Sequence, residues 1–337
     1  MREVFGSRFD VPHGYLNTPS IGIPPEAAAD AVAAAVARWR TGAASPPDFD
    51  EAVAASRQGF ADLIGVPADR IAIGASVSQL LGAVAAGLPR DAKVLTAAGE
   101  FTSVTFPFAA QGLAVTEVPL DLLPEAVAEH DLVVVSAVQS SDGAVADLGA
   151  VRAAAEAAGV PVALDVTQAA GWLPLALDWA DWVVAAGYKW LLSPRGSAWL
   201  AVHPRALERG KPVHAGWYAG ENPWDALYGL PLRLAAGARR FDLSPVWLAQ
   251  VGAAAALPYL AALDREAVHR HCLGLAARIR TGLGLPARNS PIVSFDADPA
   301  RLAAAGIRVS ARAGKVRVGC HLYNTHSDVD RLLAAVG

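Results

Sequence analysis

Short, nearly unbroken apolar runs alternate with alanine-rich stretches of helical period through the middle of the chain. Arg70–Ile73, Lys93–Thr96, Ala114–Val118, Leu132–Ser136, Val160–Leu164, Trp182–Ala185 and Ser197–Val202 read as strands. Ser76–Ala86, Asp147–Ala158 and an interval after Thr102 read as helices. Strands that are apolar throughout must be covered on both faces, which predicts an α/β large domain with a mostly parallel seven-stranded sheet between helices. Before it, Pro24–Arg40 and Asp48–Leu63 read as two helices joined by the loop Thr41–Pro47, with Asp48 as an N-cap. After about Leu243 the pattern changes. Helices Val246–Leu263 and Arg265–Gly282 precede strands Ile292–Phe295, Ile307–Ala311 and Lys315–Val318, and a last helix starts at Ser327. This predicts a small C-terminal α+β domain over 244–337, following an N-terminal segment and large domain over 1–243.

Composition narrows the class. Hydrophobic residues make up 53% of the 337 residues and charged ones 18%, so a sizeable ordered core is expected. A net charge of −4 gives no reason to expect a nucleic-acid partner. Two cysteines, Cys272 and Cys320, are too few for a disulfide framework, and reduced thiols in a cytoplasmic protein are expected. The opening MREVFGSRFD has no apolar core of a signal peptide. The longest apolar stretch, Val251–Leu263, is interrupted by Pro258 and too short to span a bilayer, so no membrane association is expected. His269 and His271 stand two apart on a helix and face different ways, which does not suit a metal. The chain has no GxGxxG after a strand, no P-loop and no GxSxG elbow.

Ligands of open α/β sheets bind beyond the carboxyl ends of the strands. Asp165 (in LDVTQAAG) and Lys189 (in AGYKWLLSPRG) both fall there. A lysine amine and a carboxylate so placed suit pyridoxal 5′-phosphate. The amine forms an imine with the cofactor, and the carboxylate keeps the pyridine nitrogen protonated so that the ring accepts electrons. The turn through Ser76, Val77 and Ser78 leaves a strand and opens a helix, so it can offer N–H groups and hydroxyls to a phosphate. Phe101 lies just beyond the next strand and can cover a ring. Each part has a plainer alternative: a helix cap at Ser76, a turn residue at Asp165, a solvated Lys189, a core Phe101. It is their order and strand-end placement together that point to the cofactor.

These motifs, with GYLNTPS near Gly14 and VRVGCHLYNT near the C-terminus, resemble the class V aminotransferase family of pyridoxal-phosphate enzymes along nearly the whole chain. The resemblance implies Lys189 as the Schiff-base lysine and proton shuttle, and Asp165 as partner of the pyridine nitrogen. It implies Gln168 at the phenolic oxygen, Phe101 stacked on the ring, and Ser76, Val77 and Ser78 at the phosphate. Tyr188 stands where many members have His, as in kynureninases, where that Tyr contacts the phosphate. Ala186 replaces a Ser that contacts the phosphate in many members. Ser244, in FDLSP, matches a residue that reaches the partner subunit's phosphate, which implies a homodimer with shared active sites. Arg317 matches the arginine that binds the carboxylate of a small amino-acid substrate. Asn17 lies in a segment that lines the substrate pocket, Ser140 takes the place of a substrate-contacting Asn, and Trp217 either borders the pocket or belongs to the core.

Cysteine desulfurases of this family carry a thiol shortly before the carboxylate arginine. The interval Pro291–Val316 has no cysteine, so desulfuration is not the expected reaction. GEFTSVTFPFAAQG, AGWYAGENPWDALYG and GARRFDLSPVW are similar to hercynylcysteine sulfoxide lyases of ergothioneine biosynthesis. That likeness implies a carbon–sulfur β-lyase yielding a sulfenate or thiol, pyruvate and ammonia, with Trp217, Tyr218 and Trp224 as candidates to surround the trimethylated imidazole portion of the substrate. An aminotransferase, an amino-acid epimerase or a kynureninase-like hydrolase is the alternative.

Overall fold

The computed structural model describes residues 1–337. A hairpin of β1 (Arg2–Val4) and β2 (Ser7–Phe9) precedes α1 (Glu26–Arg40) and α2 (Asp50–Ile64). Then come β3 (Ile71–Gly74), α3 (Val77–Ala85), β4 (Lys93–Ala97), α4 (Thr102–Ala109), β5 (Ala114–Val118), α5 (Leu123–Ala126) and β6 (Leu132–Ser136). They are followed by α6 (Leu148–Ala158), β7 (Val162–Asp165), β8 (Trp182–Ala186) and β9 (Ala198–Val202). Beyond lie α7 (Trp247–Ala262), α8 (Arg265–Gly282), β10 (Ile292–Phe295), α9 (Pro299–Ala304), β11 (Ser310–Arg312), β12 (Lys315–Gly319) and α10 (His326–Val336).

β3 to β9 form one seven-stranded sheet in the order β3-β9-β8-β7-β6-β4-β5. All run in one sense except β9, which is antiparallel to both its neighbours. The link from β8 to β9 contains the Lys189 turn and no crossover helix, so the chain can only return antiparallel. The expected α/β sheet and small C-terminal sheet are both present. The unbroken apolar runs have a simple origin: successive side chains serve opposite faces. Val133 and Val135 of β6 join one core with Phe60 and Ile64 of α2, while Leu132 and Val134 join the other with Leu80 of α3 and Phe108 of α4. Trp199 of β9 stacks on Phe60, ring centroids 5.4 Å apart.

The small sheet has the order β10-β12-β11. Its edge is extended by the N-terminal segment. The Arg308 N–H donates to the Gly14 carbonyl (2.9 Å), Leu16 N–H to Arg308 (3.0 Å) and Gly319 N–H to Leu16 (2.9 Å). The Leu16 side chain is buried with Phe295, Val316 and Val318. Two expectations need correction. Ile307–Ala311 is not one strand, because Arg308 pairs with the N-terminal segment and β11 starts only at Ser310. Asp48 is not the N-cap of the second helix. Ser45 caps a 3₁₀ turn over Pro46–Phe49, Asp48 accepts the Ser45 N–H in return at 3.1 Å, and α2 begins at Asp50. The prolines at the first two turn positions set the start earlier, since they carry no N–H for a cap to satisfy.

Asp328 ties the two ends together. Its carboxylate accepts from Arg2 (2.6 and 2.8 Å), the Gly14 N–H (2.9 Å) and the Thr325 N–H (2.9 Å). Burial would raise its pKa, but these donors outweigh burial and hold it below the usual carboxylate range. Asp328→Ala is expected to cost about 2–3 kcal/mol at neutral pH through donors left unpaired. A depressed folded-state pKa stabilises above the unfolded value and loses its effect as pH falls through the folded one. Urea melts of wild type and variant should therefore differ at pH 7 and converge in acid.

Candidate active site

The carboxyl ends of β6, β7 and β8 and the α3 turn surround a cavity of about 160 Å³. Lys189 follows β8 and is buried. Its Nζ lies 5.3 Å from the Phe101 ring centroid and 5.6 Å from that of Tyr188. Burial lowers the Lys189 pKa from 10.5 to about 8; Asp165 opposes the shift, while Arg317, Arg312 and Arg195 add to it. Asp165 ends β7, fully buried, and accepts the Thr167 N–H at 2.8 Å. Burial raises its pKa against the pull of Thr167 and Lys189. A protonated ring nitrogen set against it would supply the counter-charge that burial withholds.

Ser76, Val77, Ser78, Phe101, Ser140, Asp165, Gln168, Tyr188 and Lys189 all line this one cavity. Ser76 Oγ accepts the Gln79 N–H at 3.3 Å, so it caps α3 while its hydroxyl stands 3.3 Å from that of Ser78. Gln168 Nε2 donates to the Pro19 carbonyl (3.0 Å) and to Ser140 Oγ (3.1 Å), and its Oε1 accepts from Trp190 (2.7 Å). Arg317, 1% exposed, donates to the Ser140 carbonyl, to Ser140 Oγ (3.0 Å), to Ser20 Oγ (2.9 Å) and to Ser310 Oγ (3.1 Å). It therefore abuts the cavity through Ser140. Its partners are all neutral, so a carboxylate would be its only counter-charge.

Three expected residues lie elsewhere in this chain. Asn17 bridges to Gly319 beside the small sheet, its side-chain oxygen buried and unpartnered. Ser244 is exposed. Trp217 packs on Tyr218 and Trp224 (centroids 5.1 and 5.0 Å), and these last two donate to Asp50 at 3.1 Å each, so the aromatic group is anchored on α2.

Other residues of the site have no expectation behind them. Arg195 lines the cavity with its guanidinium 4.9 Å from the Tyr188 ring centroid, a cation available to a phosphate. Thr167 Oγ1 accepts the Ala186 N–H at 3.1 Å, fixing the end of β8. Glu100, the chain neighbour of Phe101, is buried and accepts from Ser136 N–H (2.6 Å), Ser136 Oγ (2.6 Å) and Gln139 (2.7 Å). Gly22 passes the Lys189 backbone so closely that an added Cβ would lie 2.0 Å from the Lys189 carbonyl oxygen. Gly22→Ala is expected to push the Lys189 turn out of place at about 1–3 kcal/mol of strain. Spectroscopic titration of the variant apoprotein should show weaker cofactor binding; unchanged affinity would mean that the segment gives way instead.

The model of the family described as aminotransferase class-V matches residues 32–290. The chain belongs to the class V aminotransferases. It is 27% identical over 311 residues to an uncharacterized aminotransferase, YcbU, of Bacillus subtilis, covering 81% of this chain and 80% of that one. It is 30% identical over 231 residues to a kynureninase of Deinococcus radiodurans, covering 64% of this chain and 55% of the relative. Among solved structures, the cystine C–S lyase C-DES superposes with a TM-score of 0.86 at 22% identity, covering 97% of both chains. An apo cysteine desulfurase of Thermococcus onnurineus NA1 superposes with a TM-score of 0.83 at 20% identity, covering 96% of this chain and 93% of that one. As a class V enzyme the chain takes pyridoxal 5′-phosphate. Its cavity fits that group: a secluded amine, a buried carboxylate lacking a full counter-charge, and hydroxyls with Arg195 where a phosphate would lie. No group of side chains is arranged to hold a metal, and no helix is long and apolar enough to cross a membrane.

Proposed function

We propose that this class V enzyme is a carbon–sulfur β-lyase acting on a cysteine S-conjugate, in the first instance hercynylcysteine sulfoxide. The observation that carries this reading is a cavity that joins Lys189 and Asp165, is abutted by Arg317 through Ser140, and offers no thiol. Cys272 and Cys320 are both fully buried, and burial raises both thiol pKa values, that of Cys320 to about 12. Neither can present a thiolate to take up sulfur. The motifs that resemble those of sulfoxide lyases support this reaction over the others open to the family.

When bound, pyridoxal phosphate supplies an electron sink that makes the substrate Cα–H acidic. Arg317 holds the α-carboxylate, with Ser20 and Ser140 fixing its guanidinium. The Lys189 amine, with its lowered basicity, takes the Cα proton and can return one. Asp165 holds the charge opposite. Phe101 shields the face of the site that is open to water. A sulfenate leaves Cβ more readily than a thiolate because it is the weaker base, and the three-carbon remainder hydrolyses to pyruvate and ammonia.

Ser244 and the exposed run Tyr228, Leu230 and Leu232 (88%, 89% and 67% accessible) suit contact with a second copy, so the enzyme is proposed to act as a homodimer. The deciding experiment mixes holoenzyme with hercynylcysteine sulfoxide and assays pyruvate, with cysteine as control. Pyruvate from the sulfoxide alone supports the reading. Alanine and persulfide from cysteine would make the enzyme a desulfurase, and a substrate-derived keto acid without C–S cleavage would make it an aminotransferase.

A further inference from the structure

The hairpin that carries Arg317 also carries a second basic group. Across β11 and β12, Ser310 pairs with Arg317 and Arg312 with Lys315. Directly paired residues share a face, and so do residues two apart on one strand. Ser310, Arg312, Lys315 and Arg317 therefore point to the same side, the two pairs about 7 Å apart along the strands. At the outer pair lies a cavity of about 420 Å³, lined by Ser141, Asp142, Arg288, Arg312 and Lys315 among others. Asp142 is the only acid in its wall and is held by Arg288 at 2.9 Å. Lys315 has a carboxylate, Asp296, at 3.5 Å; Arg312 donates to the Ala311 carbonyl and to no carboxylate.

One turn separates this cavity from the active site. Ser140 faces Arg317 and the cofactor cavity, while its neighbours Ser141 and Asp142 line the basic one. The turn is held firmly. Gln139 N–H donates to Ala144 (2.7 Å), Gly143 N–H to Gln139 (3.0 Å), and Gly143, at φ +78°, lies so close to β10 that a Cβ would be 2.6 Å from Ile292 Cβ.

We infer that the cavity at Arg312 and Lys315 is a second anion subsite, which selects amino-acid substrates whose side chain ends in a carboxylate. This deepens the C–S lyase reading and rests on it for the substrate class, cysteine S-conjugates whose sulfur substituent carries a carboxylate. Hercynylcysteine sulfoxide, with its betaine carboxylate, belongs to that class. A substrate held by its α-carboxylate at Arg317 would extend along the hairpin and set its distal carboxylate against the outer pair.

The test uses holoenzyme and two amino acids of equal length, L-2-aminosuberate and L-2-aminooctanoate, titrated against the cofactor's visible absorbance. Wild type is expected to bind the dicarboxylate about tenfold more tightly, the scale of one charge-assisted contact. In Arg312→Ala/Lys315→Ala the preference should vanish while affinity for aminooctanoate stays unchanged. Arg312→Glu should reverse the preference. All these side chains are exposed, so folding is not at stake. Equal affinities in wild type, or a preference that survives in the double variant, would overturn the subsite. Pyruvate release is read separately: its absence would sink the lyase reading while leaving the measured dicarboxylate selectivity standing.

Discussion

Lys189→Ala is expected to remove the cofactor's visible absorbance band and to lower turnover by at least about 10³-fold, the upper range of a positioned proton carrier. Its amine is the only one facing the Asp165 carboxylate across the cavity. A band that persists in the variant would move the attachment point to another lysine. The same residue sets a pH signature in the apoprotein. Only a neutral amine can attack the cofactor's aldehyde. With its pKa lowered from 10.5 to about 8, roughly one Lys189 in ten is neutral at pH 7, against fewer than about one in a thousand for a free lysine. The rate of cofactor capture should therefore rise with pH and level off above about 8. A rise that continues beyond pH 10 would mean that the amine is not desolvated as described.

Arg317→Ala is expected to reduce kcat/KM for α-carboxylate substrates by about 2–4 kcal/mol, or roughly 30- to 1000-fold. The effect should appear mainly in KM, because the clamp acts in the ground state as well as in the transition state. Burial lowers the Arg317 pKa to about 10, with Arg312 adding to the shift, so the guanidinium is still charged at neutral pH. Arg317→Lys should recover charge but not the two-pronged geometry, and so restore only part of the affinity. A substrate analogue without the α-carboxylate should be indifferent to both changes. An unchanged KM for carboxylate substrates would take Arg317 out of the pocket.

Much of this was legible in the chain because burial on both sides of a parallel sheet writes an unmistakable pattern. LVVVS at β6 and WVVAA at β8 can be little else. Sheet topology then delivers Asp165 and Lys189 to the same rim with no detailed knowledge of side chains. What could not be read were the contacts that depend on segments distant in sequence. Gly22 is an unremarked glycine until its neighbour proves to be the Lys189 carbonyl. The three-residue strands β1 and β2 are too short to show a period. Glu100 had a usable signal, an acid three residues beyond an apolar strand, but its burial on Ser136 and Gln139 appears only in three dimensions. Asp48 misled because the rule for caps names residue types, and the two prolines beside it decided which of Ser45 and Asp48 would serve.

The N-terminal segment has a consequence for biosynthesis. Arg2 finds its carboxylate 326 positions away, at Asp328, and Leu16 finds its strand partner at Arg308. A nascent chain leaving the ribosome would carry this segment unpaired until Arg308 and Asp328 had been made. The large sheet can assemble in the meantime. The contacts that Pro19, Ser20 and Gly22 make behind Gln168, Arg317 and the Lys189 turn can form only afterwards, so competence for catalysis would be acquired late by a newly made molecule.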